Sequence, residues 1–190
     1  AVPGVTLEVQ PKSTVVFSIE RHLSDRLGLE LSLGIPPEHD VKLRASAALL
    51  GGTYGALPAA YYGQYANKTI ATVKQVAPTL FLNYKFGEAG DALRPFLGFG
   101  INYTRLDAKL TSTGKTFYQG VPMTLELSDS WGPALQFGVT YRLNKNWSLN
   151  TQVASAVVET KLKVRGNGYT HEANFEFTPT VWMATVGYSF

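Results

Sequence analysis

Three histidines and a scatter of serines are the side chains with which this 190-residue chain could do covalent chemistry, because it contains no cysteine. A serine nucleophile needs a histidine base within hydrogen-bond reach and a third group to orient that base. His22-Leu23-Ser24 supplies the first two types close together. His39 stands beside Asp40, and His171 stands far from both. Without cysteine there is no thiolate nucleophile, no cysteine zinc site and no disulfide framework. Three scattered histidines make no metal-ligand spacing, so neither a metal nor another cofactor is expected. The formal charge is 17 − 14 = +3 with no Lys/Arg cluster, which speaks against a nucleic-acid partner. Whether any of these groups meet depends on the elements that carry them.

Those elements have a period of two. In 27–35 every odd position is large and apolar: Leu27, Leu29, Leu31, Leu33 and Ile35. A helix would spread these around its surface, whereas a strand puts them on one face. In 130–143 Trp131, Pro133, Leu135, Phe137, Val139, Tyr141 and Leu143 alternate with Ser130, Gly132, Ala134, Gln136, Gly138, Thr140 and Arg142. The same alternation runs through 76–86 and 95–104, and more weakly through 13–22, 147–161 and 176–190. Strands of ten or more residues exceed the usual five or six and suit a tilted membrane crossing. The face opposite the large residues is small and polar rather than rich in Lys and Glu. Charged residues are only 16% of the chain, against roughly 25% in an ordinary soluble domain. Lipid outside and a narrow, filled interior explain both faces. The expected fold is therefore all-β, a single transmembrane antiparallel barrel over 1–190.

Tryptophans 131, 147 and 182 and tyrosines 84, 103, 141 and 188 fall near strand ends, as interfacial girdles do. Connections alternate between short (24–26, 87–91, 144–146) and long (about 36–74, 107–128 and 162–174), which predicts periplasmic turns and extracellular loops. Seven crossings are counted, although bacterial single-chain barrels have even numbers. Residues 5–10 are too few to cross. An eight-stranded barrel is expected, with a first strand outside this sequence or a larger role for residues 1–10. No basic n-region with an apolar stretch opens the chain, so a signal peptide is expected to be absent or removed.

On this frame Pro78, preceded by Ala77, lies in a lipid-facing strand and cannot donate to the ladder, which reads either as a local gap in the wall or as a tolerated proline at the strand's extracellular start with its neighbours still paired. Phe81, Phe96, Val181 and Met183 fall on the inward phase. They either line an apolar lumen or simply fill it. Leu49, Leu50, Tyr54, Leu57, Tyr61 and Tyr62, with Tyr65, are unusually apolar for a solvated loop: they either build a funnel rim for apolar solutes, the reading favoured, or pack on each other or on lipopolysaccharide. Glu20, Glu30, Lys85, Arg94 and Arg142 are inward charges near the periplasmic ends, expected to pair into an internal plug. His22 and Ser24 sit at a periplasmic turn and point to different places. Their spacing is similar to that of outer-membrane lipid A deacylases, but lipid A lies in the leaflet at the other end. No enzyme activity is expected.

Several ordered segments together resemble the OmpW family of small outer-membrane proteins, which includes the AlkL-type hydrocarbon-uptake proteins. They are Leu27-Gly28-Leu29-Glu30-Leu31, Ile35-Pro36-Pro37-Glu38-His39-Asp40-Val41 and Lys74-Gln75-Val76-Ala77-Pro78-Thr79-Leu80. Arg94 to Thr104, Leu127 to Gly132 and the closing Trp182…Gly187-Tyr188-Ser189-Phe190 complete the set. The resemblance runs from about residue 6 to the end. It implies an eight-stranded barrel in the bacterial outer membrane, and a wall gap at Pro78 that serves as a lateral exit for apolar solutes. The implied function is passive uptake of small hydrophobic molecules. The alternative is a structural or adhesion barrel with a plugged lumen. Partners would be such solutes, outer-membrane lipids and lipopolysaccharide. Phe190, with Tyr188 two residues before it, resembles the signal read by the barrel-assembly machinery.

Overall fold

The computed structural model describes residues 5–45, 53–54, 57–166 and 168–190. Its membrane part is a run of antiparallel strands: β2 (Val16–His22), β3 (Leu27–Gly34), β8 (Thr79–Lys85), β9 (Leu93–Leu110), β11 (Ser130–Arg142), β12 (Trp147–Ala156) and β15 (Thr180–Tyr188). Each pairs with the next in this order. Among the described residues β2 otherwise borders no strand, nor does β15 beyond β12. The alternation read from the sequence is the alternation of burial. Leu27, Leu29, Leu31 and Leu33 are exposed, while Gly28, Glu30 and Ser32 between them are buried. Trp131 is 73% and Trp182 79% exposed, yet Gln136 is 1%. A soluble protein would invert this; a wall standing in acyl chains requires it.

The interior is narrow enough that some positions tolerate no side chain. A Cβ on Gly138 would lie 2.6 Å from the Phe96 ring and 2.7 Å from Gln152 Cβ. Phe96 and Phe81 fill the space so left and are themselves buried.

The segments expected as long extracellular loops are largely strand. β4 (Glu38–Ala45) continues β3, and β7 (Thr69–Val76) leads into β8. β10 (Met123–Leu127) precedes β11, β13 (Val158–Gly166) continues β12, and β14 (Tyr169–Phe177) precedes β15. β1 (Val5–Val9) pairs with β4, and so adds to this outer tier rather than crossing the membrane. β4 pairs with β7, β7 with the far end of β9, and β10, β13 and β14 form a sheet of three. Short elements cap the tier: β5 (Thr53–Tyr54), β6 (Leu57–Pro58), α1 (Ala59–Gly63) and α2 (Ser112–Phe117). Thr111 caps α2, its Oγ1 accepting from Gly114 N–H at 3.0 Å. No described helix is long and apolar enough to cross a membrane.

Candidate functional site: a broken wall above a polar plug

Among the described residues, the pairing of β3–β4 with β7–β8 is interrupted. β3 and β8 stay in register from Leu27↔Tyr84 to Ser32↔Thr79, and β4 and β7 resume at Glu38↔Lys74. Between these, residues 33–37 face residues 75–78. One described backbone bond crosses, Gln75 N–H to Pro37 O at 3.0 Å. Pro36 and Pro37 have no N–H to give, so donors are missing from this stretch of seam, and Pro78 turns both its carbonyl and its nitrogen, which has no hydrogen, toward β9 instead. The other edge of the same strand is closed, because Tyr103 N–H donates to Pro78 O at 3.0 Å. The gap is thus one-sided. Pro36 and Pro37, set opposite the Gln75–Val76 stretch, interrupt the ladder on the seam side, and the alternation pattern does not single them out. Elsewhere strand prolines cost nothing visible: Val157 N–H donates to Pro133 O, and the Ser155 hydroxyl to Pro179 O.

Leu33, Ile35, Val76 and Leu80 give the break an apolar outer rim. Behind it, toward the lumen, the groups are polar. Asn102 Nδ2 donates to Thr79 Oγ1 at 2.7 Å and to Pro78 O at 3.4 Å, and the Thr104 hydroxyl donates to Asn102 Oδ1 at 2.6 Å. All three side chains are buried.

Below lies the plug. Lys85 Nζ is 2.8 Å from Glu20 Oε2. Glu30 Oε2 accepts from Asn83 Nδ2 and from Gln136 Nε2, each at 2.8 Å, and Gln136 also donates to Asn83 Oδ1 at 2.7 Å. Gln152 Nε2 continues the chain to Gln136 Oε1 at 3.4 Å and lies 3.9 Å from Met183 Sδ. The expected charges Glu20, Glu30 and Lys85 therefore come together, joined by amides the sequence reading left out. Glutamine and asparagine at inward positions of neighbouring strands were the signal. Arg94 and Arg142 do not join. Each reaches backbone carbonyls at the periplasmic turns instead: Arg94 those of Asp25 and Phe86, Arg142 that of Ala89. They are farther down their strands than the carboxylates, and the turn carbonyls are nearer.

Of the expected lumen lining, Phe81 and Phe96 are buried within the wall and Met183 touches the amide chain. Val181 shares the phase of Met183 but is 44% exposed at the upper end of β15, on an edge without a neighbour among the described residues.

The expected funnel rim is placed differently. Leu49 and Leu50 lie outside the described residues, as do the side chains of Tyr54 and Leu57. Tyr61, Tyr62 and Tyr65 pack on Phe117 of α2, with ring centroids 5.9, 6.2 and 5.3 Å away, and the Tyr61 hydroxyl donates to Phe117 O. Burial pushes the Tyr61 phenol above its ordinary pKa. These rings pack on one another and on Leu43 and Ile70, making a small core for the outer tier rather than a rim.

An apolar mouth is formed by β10, β13 and β14, strands that run through the segments expected as loops. Across β10–β13 Leu125 faces Val164 and Leu127 faces Leu162; across β13–β14 Val158 faces Phe177 and Thr160 faces Phe175. This face continues the phase of buried Val158 and Thr160, which carry the lumen side of β12 upward. Phe175 and Phe177 remain substantially exposed on it. The opposite face carries Glu126, Lys161, Lys163 and Arg165. Lys163 holds the Glu172 carboxyl below the usual carboxylate range through a 3.2 Å ion pair.

His22 and Ser24 form no catalytic pair. Ser24 Oγ accepts from the backbone N–H of Arg26 and of Leu27, at 3.3 and 3.1 Å, fixing the turn, while His22 Nδ1 lies 3.5 Å from Lys85 Nζ. His39 Nδ1 is bound at 2.9 Å to Gln10 O. No group of three metal-ligating side chains occurs among the described residues.

An inside-out sheet with a one-sided break and a filled waist has close parallels among known proteins. Outer membrane protein W of Vibrio cholerae is 30% identical over 185 residues, covering 97% of this chain and 76% of that protein. The crystal structure of the outer membrane protein OprG from Pseudomonas aeruginosa superposes with a TM-score of 0.78 at 28% identity, over 99% of this chain and 82% of that one. The solid-state NMR structure of outer membrane protein AlkL, at 19% identity, shares the fold with a TM-score of 0.66, over 100% and 78% of the two chains. Residues 66–190, from the foot of β7 through the break, the plug and the closing strand, match the OmpW family as a whole. By the wall, the break and these likenesses, the chain is an outer-membrane β-barrel and belongs to the OmpW family.

Proposed function

We propose that this barrel is a passive channel for small hydrophobic molecules, and that its solutes leave sideways into the membrane. The observation that carries the reading is the one-sided break between residues 33–37 and 75–78, apolar outside and placed above a hydrogen-bonded plug. A solute arriving at the face of Leu125, Leu127, Leu162, Val164, Phe175 and Phe177 finds apolar contact at the mouth. Straight passage would mean crossing Glu30, Gln136 and the Lys85–Glu20 pair, stripping buried polar groups of their partners. Sideways passage ends in acyl chains, and each Å² of apolar solute removed from water is worth about 25 cal/mol. No energy source and no cofactor enter this route.

The test is uptake of a labelled medium-chain alkane into liposomes carrying the full-length protein, with a small sugar as control. Entry of alkane without sugar is expected. Pro37→Ala restores a donor beside the Pro37 carbonyl that Gln75 N–H already reaches across the seam, and is expected to slow alkane entry several-fold while the barrel still folds. Unchanged uptake in that variant would remove the lateral route. The filled waist also suits a structural or adhesion barrel, and entry of neither solute would favour that reading.

A further inference from the structure

Arg94 and Arg142, left outside the plug, share a recess at the periplasmic mouth with His22, Ser24, Asp25 and Ala89. Arg94 is 7% exposed, yet neither guanidinium has a carboxylate within 4.0 Å among the described residues. A buried guanidinium without an anionic partner is costly. Both are instead held by the turns: Arg94 Nη2 donates to Asp25 O at 2.8 Å and Nε to Phe86 O at 3.3 Å, and Arg142 Nη2 donates to Ala89 O. A guanidinium has five N–H donors in a fixed fork. These bonds orient the forks and use only part of each. Just above, the Lys85–Glu20 pair is neutral as a unit, with His22 3.5 Å from the lysine. Asp25 is the carboxylate lining the recess, so two guanidiniums and one carboxylate leave it positive before His22 is counted.

We propose that this recess binds a small dissolved oxyanion of the phosphate type between Arg94 and Arg142, with His22 at its edge. Guanidinium forks fit phosphate oxygens through paired, charge-assisted hydrogen bonds. All three side chains occupy the inward phase of their strands, whereas Leu23, Leu93, Tyr141 and Leu143 are exposed beside them. The site therefore addresses the periplasm along the barrel axis rather than a lipid headgroup at the wall. It is independent of the transport reading, because it lies beneath the plug.

The test is NMR titration of the full-length barrel, folded in zwitterionic micelles, with inorganic phosphate. The side-chain Nε–Hε signals of Arg94 and Arg142 are followed, with sodium chloride at matched ionic strength as control. A saturable shift with phosphate alone is expected. Arg142→Gln, which removes one of the two forks, is expected to weaken phosphate binding about tenfold or more. His22→Ala leaves both forks and is expected to weaken it only a few-fold. The same shift with chloride, a shift that never saturates, or unchanged affinity in a folded Arg142→Gln barrel would overturn the site. A response confined to bilayers containing phosphatidylglycerol would overturn its assignment to a dissolved anion.

Discussion

Lys85 and Glu20 form their ion pair inside the barrel, and Glu30 beside them relies on the amides of Asn83 and Gln136. Lys85→Met would leave two carboxylates in the lumen without their ammonium. A loss of about 3 kcal/mol is expected, near the lower end for a broken buried pair, because the Glu20 side chain is 25% exposed. Adding Glu20→Gln should recover most of it, and urea unfolding of the single and double variants in bilayers measures both. A second prediction concerns Glu172 in the outer tier. Its carboxyl is depressed by the hydrogen bond and charge of Lys163, with Lys161 and Arg165 contributing less. A depressed carboxyl stabilises the fold above its unfolded pKa, and that contribution is lost as the pH falls through the folded value. The β13–β14 hairpin should therefore keep its amide protection down to a pH below the ordinary carboxylate range. In Lys163→Met the Glu172 titration, followed by carbon NMR, should move back up.

The strands divide into those whose pattern the sequence states openly and those it disguises. In the membrane half, position parity alone assigns lipid and lumen faces, because nothing but side-chain size and polarity separates the two sides. Leu27 to Leu33 and Trp131 to Tyr141 could be placed without coordinates. In the outer tier the alternation persists, but its phase slips. Leu127 and Ser130 both face inward although they are three positions apart, so the strand bends at Ser128-Asp129 between β10 and β11. Prolines 36, 37 and 78 interrupt the neighbouring pair in the same way. A reader following one phase loses the strand at each slip and records a loop. The plug was half visible for a related reason: charges stand out in a strand, whereas Asn83, Gln136 and Gln152 pass as ordinary polar filler until their strands are adjacent. Gly138 belongs to the same economy of space. Gly138→Ala sets a methyl against Phe96 and the Gln152 stem, and a loss of about 1–3 kcal/mol is expected by urea midpoint in bilayers. The membrane-facing aromatics should be unaffected by it.

For the molecule as a whole, the pairs of rings on the outer surface act as a gauge. Tyr103 packs at a tilt against Trp131, ring centroids 4.9 Å apart, above, and Trp147 packs edge-on against Tyr188 at 5.0 Å below. From Trp131 to Tyr141 the wall runs roughly 33 Å at about 3.3 Å per residue. Tilted by about 40°, that spans some 25 Å, the height of an outer-membrane apolar band. Tyr103 is also the residue whose N–H holds Pro78 O. The break in the wall is therefore tied by one hydrogen bond to the ring pair that anchors the barrel at the headgroup boundary. Its depth is set by the anchor, so a thicker or thinner bilayer would tilt or stretch the lipid around it rather than carry the opening up or down. The seam keeps a fixed altitude, at the waterline where headgroups give way to hydrocarbon.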